Sequence, residues 1–318
     1  MTKTTEPDKY RQAAMLPEHI EESLRTLSAL RLPPELRVCI FGVGASALAA
    51  DVLSDYADGA SRSPIYVIRG TELPGWADES TAVIAVSYSG DTCEVLDAYE
   101  KAHVRGCKIA CITSGGKLLE KCASNGDRAV RLPPGLVSRD AFGYIIGSIA
   151  AVIEAMGVCK AATDLEALIP ELKRHRDEIV DKGYAQDMAM RLLDRIPVIY
   201  SLGSMRSSAI RWKAQINENT EFLSFCGSLP EFNHNEIVGW TGDCNSELFV
   251  PVVIYDENAS QSMKNMTDTS MDILTEKGFD IVTYTVSGSG NLEKNLKCIL
   301  MGDLVSIKMA CVRRTITA

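Results

Sequence analysis

Most of the groups that would mark a metalloprotein, a nucleic-acid binder or a membrane protein are missing from this chain. It has four histidines, His19, His103, His175 and His234, with no HxxxH or HxH spacing, and its ten cysteines form no CxxC. Structural zinc needs clustered ligands, so no metal site is expected. There is no block of lysine and arginine, and the formal net charge is -9. That balance argues against nucleic acid as the partner and for a small molecule. Apolar stretches such as residues 141–156 are interrupted by glycine and serine or fall short of the ~18–20 residues that a membrane span requires. The opening "MTKTTEPDKYRQ" is polar throughout, so no signal peptide is read there. Ten cysteines without such a signal fit reduced thiols in a cytoplasm, and those inside apolar runs are small core residues.

What is present is length and alternation. At 318 residues, with 46% of them hydrophobic, the chain exceeds one comfortable core and fits two domains of about 150 residues. In the first half, "RVCIFG" (37–42), "PIYVIRG" (64–70), "TAVIAVS" (81–87) and "CKIACIT" (107–113) read as buried strands. Helical patterns stand between them, one over about 91–105. Periodicity is lost over 158–163, a linker candidate, and a helical pair follows over about 165–193. Alternation then resumes with strands at 197–203, 247–256 and 279–286 and a last helix over about 291–312. Strands alternating with helices predict parallel sheets with helices on both faces. "VCIFGVGASALAADVL" and "VIYSLGSMRSSAIRWK" each read strand, small-residue turn, helix, a weak sign of internal duplication.

Two turns carry the chemistry. "FGVGASA" gives G-x-G-x-x-A after a strand, which invites a dinucleotide. The test is a carboxylate at the end of the second strand, where Arg69 and Gly70 stand instead, with Glu72 the nearest substitute. A phosphate suits the turn as well: Gly42 and Gly44 let the backbone approach, and Ser46 offers a hydroxyl at a helix start. The second turn, "SYSGDT", places Ser87, Ser89 and Thr92 between a strand and a helix, where unpaired N–H groups and the helix dipole favour an anion. Simple capping by Asp91 or Ser89 is the alternative. Adjacent turns at the switch point of an open sheet would hold a monophosphate between them.

"SYSGDTCEVLDAYEKA" resembles the phosphosugar-binding signature of the sugar isomerase (SIS) domain family. "RWKAQINENTEFLSFCGSLPEFNHNEIVGW", from Arg211 to Trp240, is similar to the second-half signature of its bifunctional phosphoglucose/phosphomannose isomerases. "LPPGLVSRDAFGYIIG" resembles the family's arginine-bearing loop, with Ser138 where proline is usual. The resemblance covers about 37–308. It implies an α/β chain of two flavodoxin-like SIS subdomains, 1–157 and 164–318, each a parallel sheet flanked by helices, in a cytoplasmic homodimer. It further implies an aldose–ketose isomerase acting on glucose 6-phosphate and/or mannose 6-phosphate and yielding fructose 6-phosphate, with no metal or cofactor. In that scheme Gly44, Ser46, Ser87, Ser89 and Thr92 bind phosphate, Glu218 is the base at C2, His234 opens the ring and Arg139 is the cation facing the developing charge.

Composition alone reads these residues more plainly. Glu218 lies among Asn217, Asn219 and Glu221, as on a solvated helix face, and His234 and Arg139 fit structural roles equally well. The family also carries a lysine on a further C-terminal helix; this chain ends at "TITA", and Lys308 lies too early to be its counterpart. The alternative function is a phosphosugar-binding sensor or an inactive paralogue of the same fold. An amino-sugar isomerase would lack the "PEFNHNE" stretch.

Overall fold

The computed structural model describes residues 6–34, 37–61 and 63–317. It divides into two compact units. One spans Met15–Glu171; the other runs from Leu172 onward and includes α1 (Glu6–Ala14).

The first unit opens with α2 (Leu16–Leu27) and continues through β1 (Val38–Phe41), α3 (Ala45–Ala60), β2 (Ile65–Ile68), β3 (Ala82–Val86), α4 (Cys93–Val104), β4 (Lys108–Thr113), α5 (Gly116–Asn125) and β5 (Arg128–Arg131). It closes with α6 (Phe142–Ala155) and the first part of α7 (Ala161–Lys182). All five strands are parallel, in the order β2-β1-β3-β4-β5, the flavodoxin-like arrangement. β1 and β3 are buried along their whole length, which is why both read as unbroken apolar runs. On one face Cys39, Phe41, Val83 and Ala85 pack with Val95 and Tyr99 of α4 and Leu118 of α5. Against α6 lies α2, so closely that a Cβ at Gly143 would stand 2.7 Å from the Cβ of His19 and one at Gly147 1.9 Å from the Ser23 hydroxyl. The apolar run at 141–156 is thus a core helix, and no described helix is long and apolar enough to cross a membrane.

The second unit continues α7 and adds α8 (Tyr184–Leu192), β6 (Ile196–Leu202), α9 (Arg206–Thr220), β7 (Phe225–Leu229), α10 (Glu236–Thr241), β8 (Phe249–Asp256), α11 (Gln261–Glu276), β9 (Val282–Val286) and α12 (Asn291–Thr317). Its sheet is also parallel, in the order β7-β6-β8-β9. The first four strands of both units therefore follow one topology, in keeping with the internal likeness seen in the sequence. Residues 158–163 do not form an open linker: α7 begins at Ala161, and the two units divide inside that helix.

The two faces of the second sheet are distinct. Ser201, Ile254 and Tyr284 align across β6, β8 and β9 and so point the same way. Trp212 of α9 meets Tyr284 with ring centroids 5.8 Å apart and donates its indole N–H to the Cys298 carbonyl of α12 at 2.6 Å. Tyr200, next to Ser201, points to the other face, where Phe232 and Trp240 pack on it. Hence α9 and α12 cover one face, while α10 and the short 3-10 turn Glu231–His234 cover the other.

Candidate active site

The order of the first sheet reverses between β1 and β3, which pair directly with Phe41 opposite Ala85. The turns that leave these two strands are therefore neighbours, and they carry Gly44, Ser46, Ser87, Ser89 and Thr92. Gly44 precedes α3 with φ of 57°, a left-handed value that a side chain would strain. A Cβ at Gly42 would stand 3.0 Å from the Ala47 nitrogen, so only glycine lets the turn fold this closely over the helix start. Ser46 is buried in the first turn of α3.

The second turn does not work as a simple cap. α4 starts at Cys93 with Thr92 as its N-cap, and the Thr92 side chain accepts nothing from the helix. Instead Thr92 Oγ1 lies 2.8 Å from the Ser87 hydroxyl, and Ser87 Oγ also accepts the N–H of Gly90 at 3.1 Å. Two hydroxyls sharing one hydrogen bond leave one O–H to donate outward. Ser89, exposed, accepts the Asp91 N–H at 3.2 Å. Asp91 caps a different helix: its carboxylate accepts the Lys117 N–H at the start of α5, at 3.2 Å. The alternative of simple capping of α4 by Asp91 or Ser89 thus does not describe this turn. Asp91 is drawn across because the two loops touch backbone to backbone. A Cβ at Gly90 would fall 1.8 Å from the Gly115 carbonyl oxygen.

What covers the open end of α4 is acidic. The Glu94 carboxylate accepts the Cys93 thiol at 3.1 Å, and its own backbone N–H, with that thiol, holds it below the usual carboxylate range. The positive end of the helix dipole favours negative charge at this position.

Arg139 is half-buried in the turn before α6. Its segment is joined to the Ser87–Thr92 turn through Tyr88, whose hydroxyl donates to the Pro133 carbonyl at 2.7 Å and accepts the Leu136 N–H at 2.9 Å. Nothing in the sequence pattern singled out Tyr88, although it stands between the two serines.

Glu72, the nearest substitute for a ribose-binding carboxylate, pairs with Lys101 of α4, and Arg69, which stands in the carboxylate's place, pairs with Asp51 of α3. The Lys101 ammonium holds Glu72 below the usual carboxylate range.

Past the ends of β8 and β9 the second unit carries internal ion pairs. Lys294 reaches Asp256 at 2.6 Å and Lys297 reaches Glu293 at 2.6 Å, all four being buried. Glu218 is exposed on the last turn of α9. It is held at the entry to β7 by its neighbour Asn217, which accepts the N–H and hydroxyl of Ser224, each at 2.8 Å. His234 ends the 3-10 turn and is also exposed. α9 and that turn pack on opposite faces of the second sheet, so this unit does not bring Glu218 and His234 together. Lys308 sits 4.5 Å from the centroid of the Tyr10 ring of α1, a packing role. Among the described residues no group of three or more His, Cys, Asp or Glu is arranged to hold a metal ion.

Comparison with known proteins places these observations. Residues 181–315 match the bacterial phospho-glucose isomerase C-terminal SIS domain. The chain is 32% identical over 282 residues to the bifunctional phosphoglucose/phosphomannose isomerase of Aquifex aeolicus, a match covering 88% of this chain and 85% of that one. It is also 29% identical to the D-glucosamine-6-phosphate 4-epimerase of Sulfolobus acidocaldarius, over 86% of this chain and 82% of that one. Among solved structures it resembles the tagatose-6-phosphate ketose/aldose isomerase of Escherichia coli, with a TM-score of 0.76 at 14% identity, covering 95% and 92% of the two chains.

Proposed function

The chain belongs to the family of bifunctional phosphoglucose/phosphomannose isomerases, and from that premise we propose that it interconverts glucose 6-phosphate and mannose 6-phosphate with fructose 6-phosphate. The observation that carries this reading is the pair of turns at the β1/β3 reversal, rich in hydroxyls, with an N-cap, Thr92, whose side chain does not cap α4. Such a site suits a phosphate dianion.

Phosphate held by Ser46, Ser87, Ser89 and Thr92 and by the turn of Gly44 lies far from the carbons that react, so its binding energy serves to orient C1 and C2. An imidazole takes and gives a proton near neutrality, which suits His234 to opening the sugar ring. The Glu218 carboxylate then removes the C2 proton. The electron pair of that C–H bond forms the C1–C2 double bond of an enediolate, whose oxyanion faces the Arg139 guanidinium. A proton passes from the C2 hydroxyl to O1, and return of the carbon-bound proton to C1 leaves a carbonyl at C2 and gives the ketose. The two aldoses differ only in C2 stereochemistry, and rotation about C2–C3 presents either hydrogen to one base, so both lead to one product.

The separation of Glu218 and His234 on opposite faces of a sheet favours a homodimer, with His234 serving the site of a second copy. Hexose 6-phosphates are the partners of the site, and the reaction belongs to cytoplasmic sugar-phosphate metabolism, at the entry to glycolysis or the exit from gluconeogenesis. A coupled assay for fructose 6-phosphate, fed separately with each aldose phosphate and with glucosamine 6-phosphate as control, tests the proposal. Turnover of either hexose phosphate supports it. Micromolar binding with no turnover makes the chain a phosphosugar sensor.

A further inference from the structure

Tyr88 sits inside the phosphate turn, yet its hydrogen bonds lead away from it. Its backbone carbonyl accepts the N–H and the hydroxyl of Ser114, just past β4, at 3.0 and 2.7 Å. Its hydroxyl has one proton and uses it on the Pro133 carbonyl; one lone pair takes the Leu136 N–H. The ring is 7% exposed, and burial raises its pKa, so the phenol keeps the proton it donates.

Among the described residues, the backbone of the segment it grips is tied to the sheet only at its start. After β5 the last strand-like bond runs from the Leu132 N–H to the Thr113 carbonyl. Pro133 and Pro134 have no N–H to give, and the next backbone bonds are local, from Asp140 and Ala141 to the Val137 carbonyl. Arg139 lies within that local turn. A two-point bond from Tyr88 across this stretch fixes the distance between the phosphate turn and the start of the arginine turn.

We propose that Tyr88 is a positioning residue which sets the Arg139 loop against the phosphate turn, so that a substrate anchored by its phosphate meets a guanidinium already in place. This rests on the roles given above to Arg139 and to the phosphate turn. Tyr88 touches no reacting atom, so its removal costs the chemical step and spares the phosphate anchor.

The test is a double-mutant cycle of Y88F and R139A, with kcat measured on fructose 6-phosphate and inorganic phosphate used as a competitive inhibitor. Y88F keeps the ring and deletes only the hydroxyl. The expected result is a fall in kcat of about tenfold, the scale of one or two lost hydrogen bonds, with the inhibition constant for phosphate changed by less than about twofold. In the R139A background Y88F costs nothing more, because the group it positions is gone. An unchanged kcat in Y88F, an additive loss in the double variant, or an inhibition constant that rises in step with the loss of kcat overturns the proposal. Full turnover in R139A overturns the assignment of Arg139 itself, and the role of Tyr88 with it. Additive losses with R139A impaired overturn Tyr88 alone.

Discussion

Arg211 of α9 and Asp303 of α12 form a two-point ion pair inside the protein, Nε to Oδ1 at 2.9 Å and Nη2 to Oδ2 at 2.8 Å, with side chains 1% and 7% exposed. Burial pushes the Asp303 carboxyl up and the guanidinium opposes it. This pair sits in a polar seam with Ser208 to Asn295 and Asn219 to Ser306, and it clamps the helix whose last turn carries Glu218. D303N takes from this buried guanidinium the carboxylate that meets it at two points. It is expected to cost about 3–5 kcal/mol in urea unfolding, whereas the double replacement R211M/D303L recovers most of that loss. Equal losses in the single and double variants would mean that the seam depends on shape and not on charge.

The phosphate turn makes an unequal prediction for its two serines. Ser87 holds the turn through Gly90 and Thr92, while Ser89 is exposed and bound only to the Asp91 N–H. S89A is expected to raise KM for hexose 6-phosphates by about tenfold with the melting temperature unchanged, as for loss of one charge-assisted hydrogen bond. S87A should raise KM at least as much and also lower the melting temperature. A KM unchanged in both removes these serines from the site.

Acid should weaken the first unit through His19. This imidazole is 3% exposed and stacks on Tyr144 with centroids 4.3 Å apart; burial lowers its pKa, and Glu22 and Glu18 only partly offset that. A histidine with a lowered folded-state pKa takes up its proton more readily when unfolded. Its contribution is intact above the ordinary value near 6.5 and is lost as pH falls below it toward the folded value. Melting temperature measured from pH 7.5 to 5.5 should fall less steeply in H19F than in the wild type. Parallel curves would show that His19 is not the group responsible.

Much of this architecture was legible, and the two strands that were missed share a feature. β1, β3, β4, β6 and β8 are central strands buried on both faces, and they stand out as apolar runs. β5 and β7 lie at sheet edges. "RAVR" shows two exposed arginines and "FCGSL" starts with an exposed phenylalanine, so neither has the pattern of a buried strand. Missing β7 hid the consequence that matters most. The chain steps from β6 outward to β7 and back past it to β8, and right-handed crossovers in opposite directions place α9 and the His234 turn on opposite faces. The capping partner of Asp91 was equally invisible, since Lys117 lies 26 residues away and only the contact of two glycine loops joins them.

That separation, together with the homodimer proposed above, predicts complementation. E218Q and H234A should each be nearly inactive alone, and a mixture refolded or coexpressed together should regain activity in the hybrid dimers, which contain one site with both groups intact. No recovery in a verified hybrid would mean that the two groups do not work in a shared site.

The most direct test of proton transfer between C1 and C2 is exchange of solvent deuterium into C1 of fructose 6-phosphate. Wild-type protein in deuterium oxide should label C1, and E218Q, which keeps the shape of the base without its charge, should exchange at least about 10²-fold more slowly with KM little changed. Fructose 6-phosphate bound at micromolar levels by the wild type with no label at C1, or full exchange in E218Q, would contradict the account.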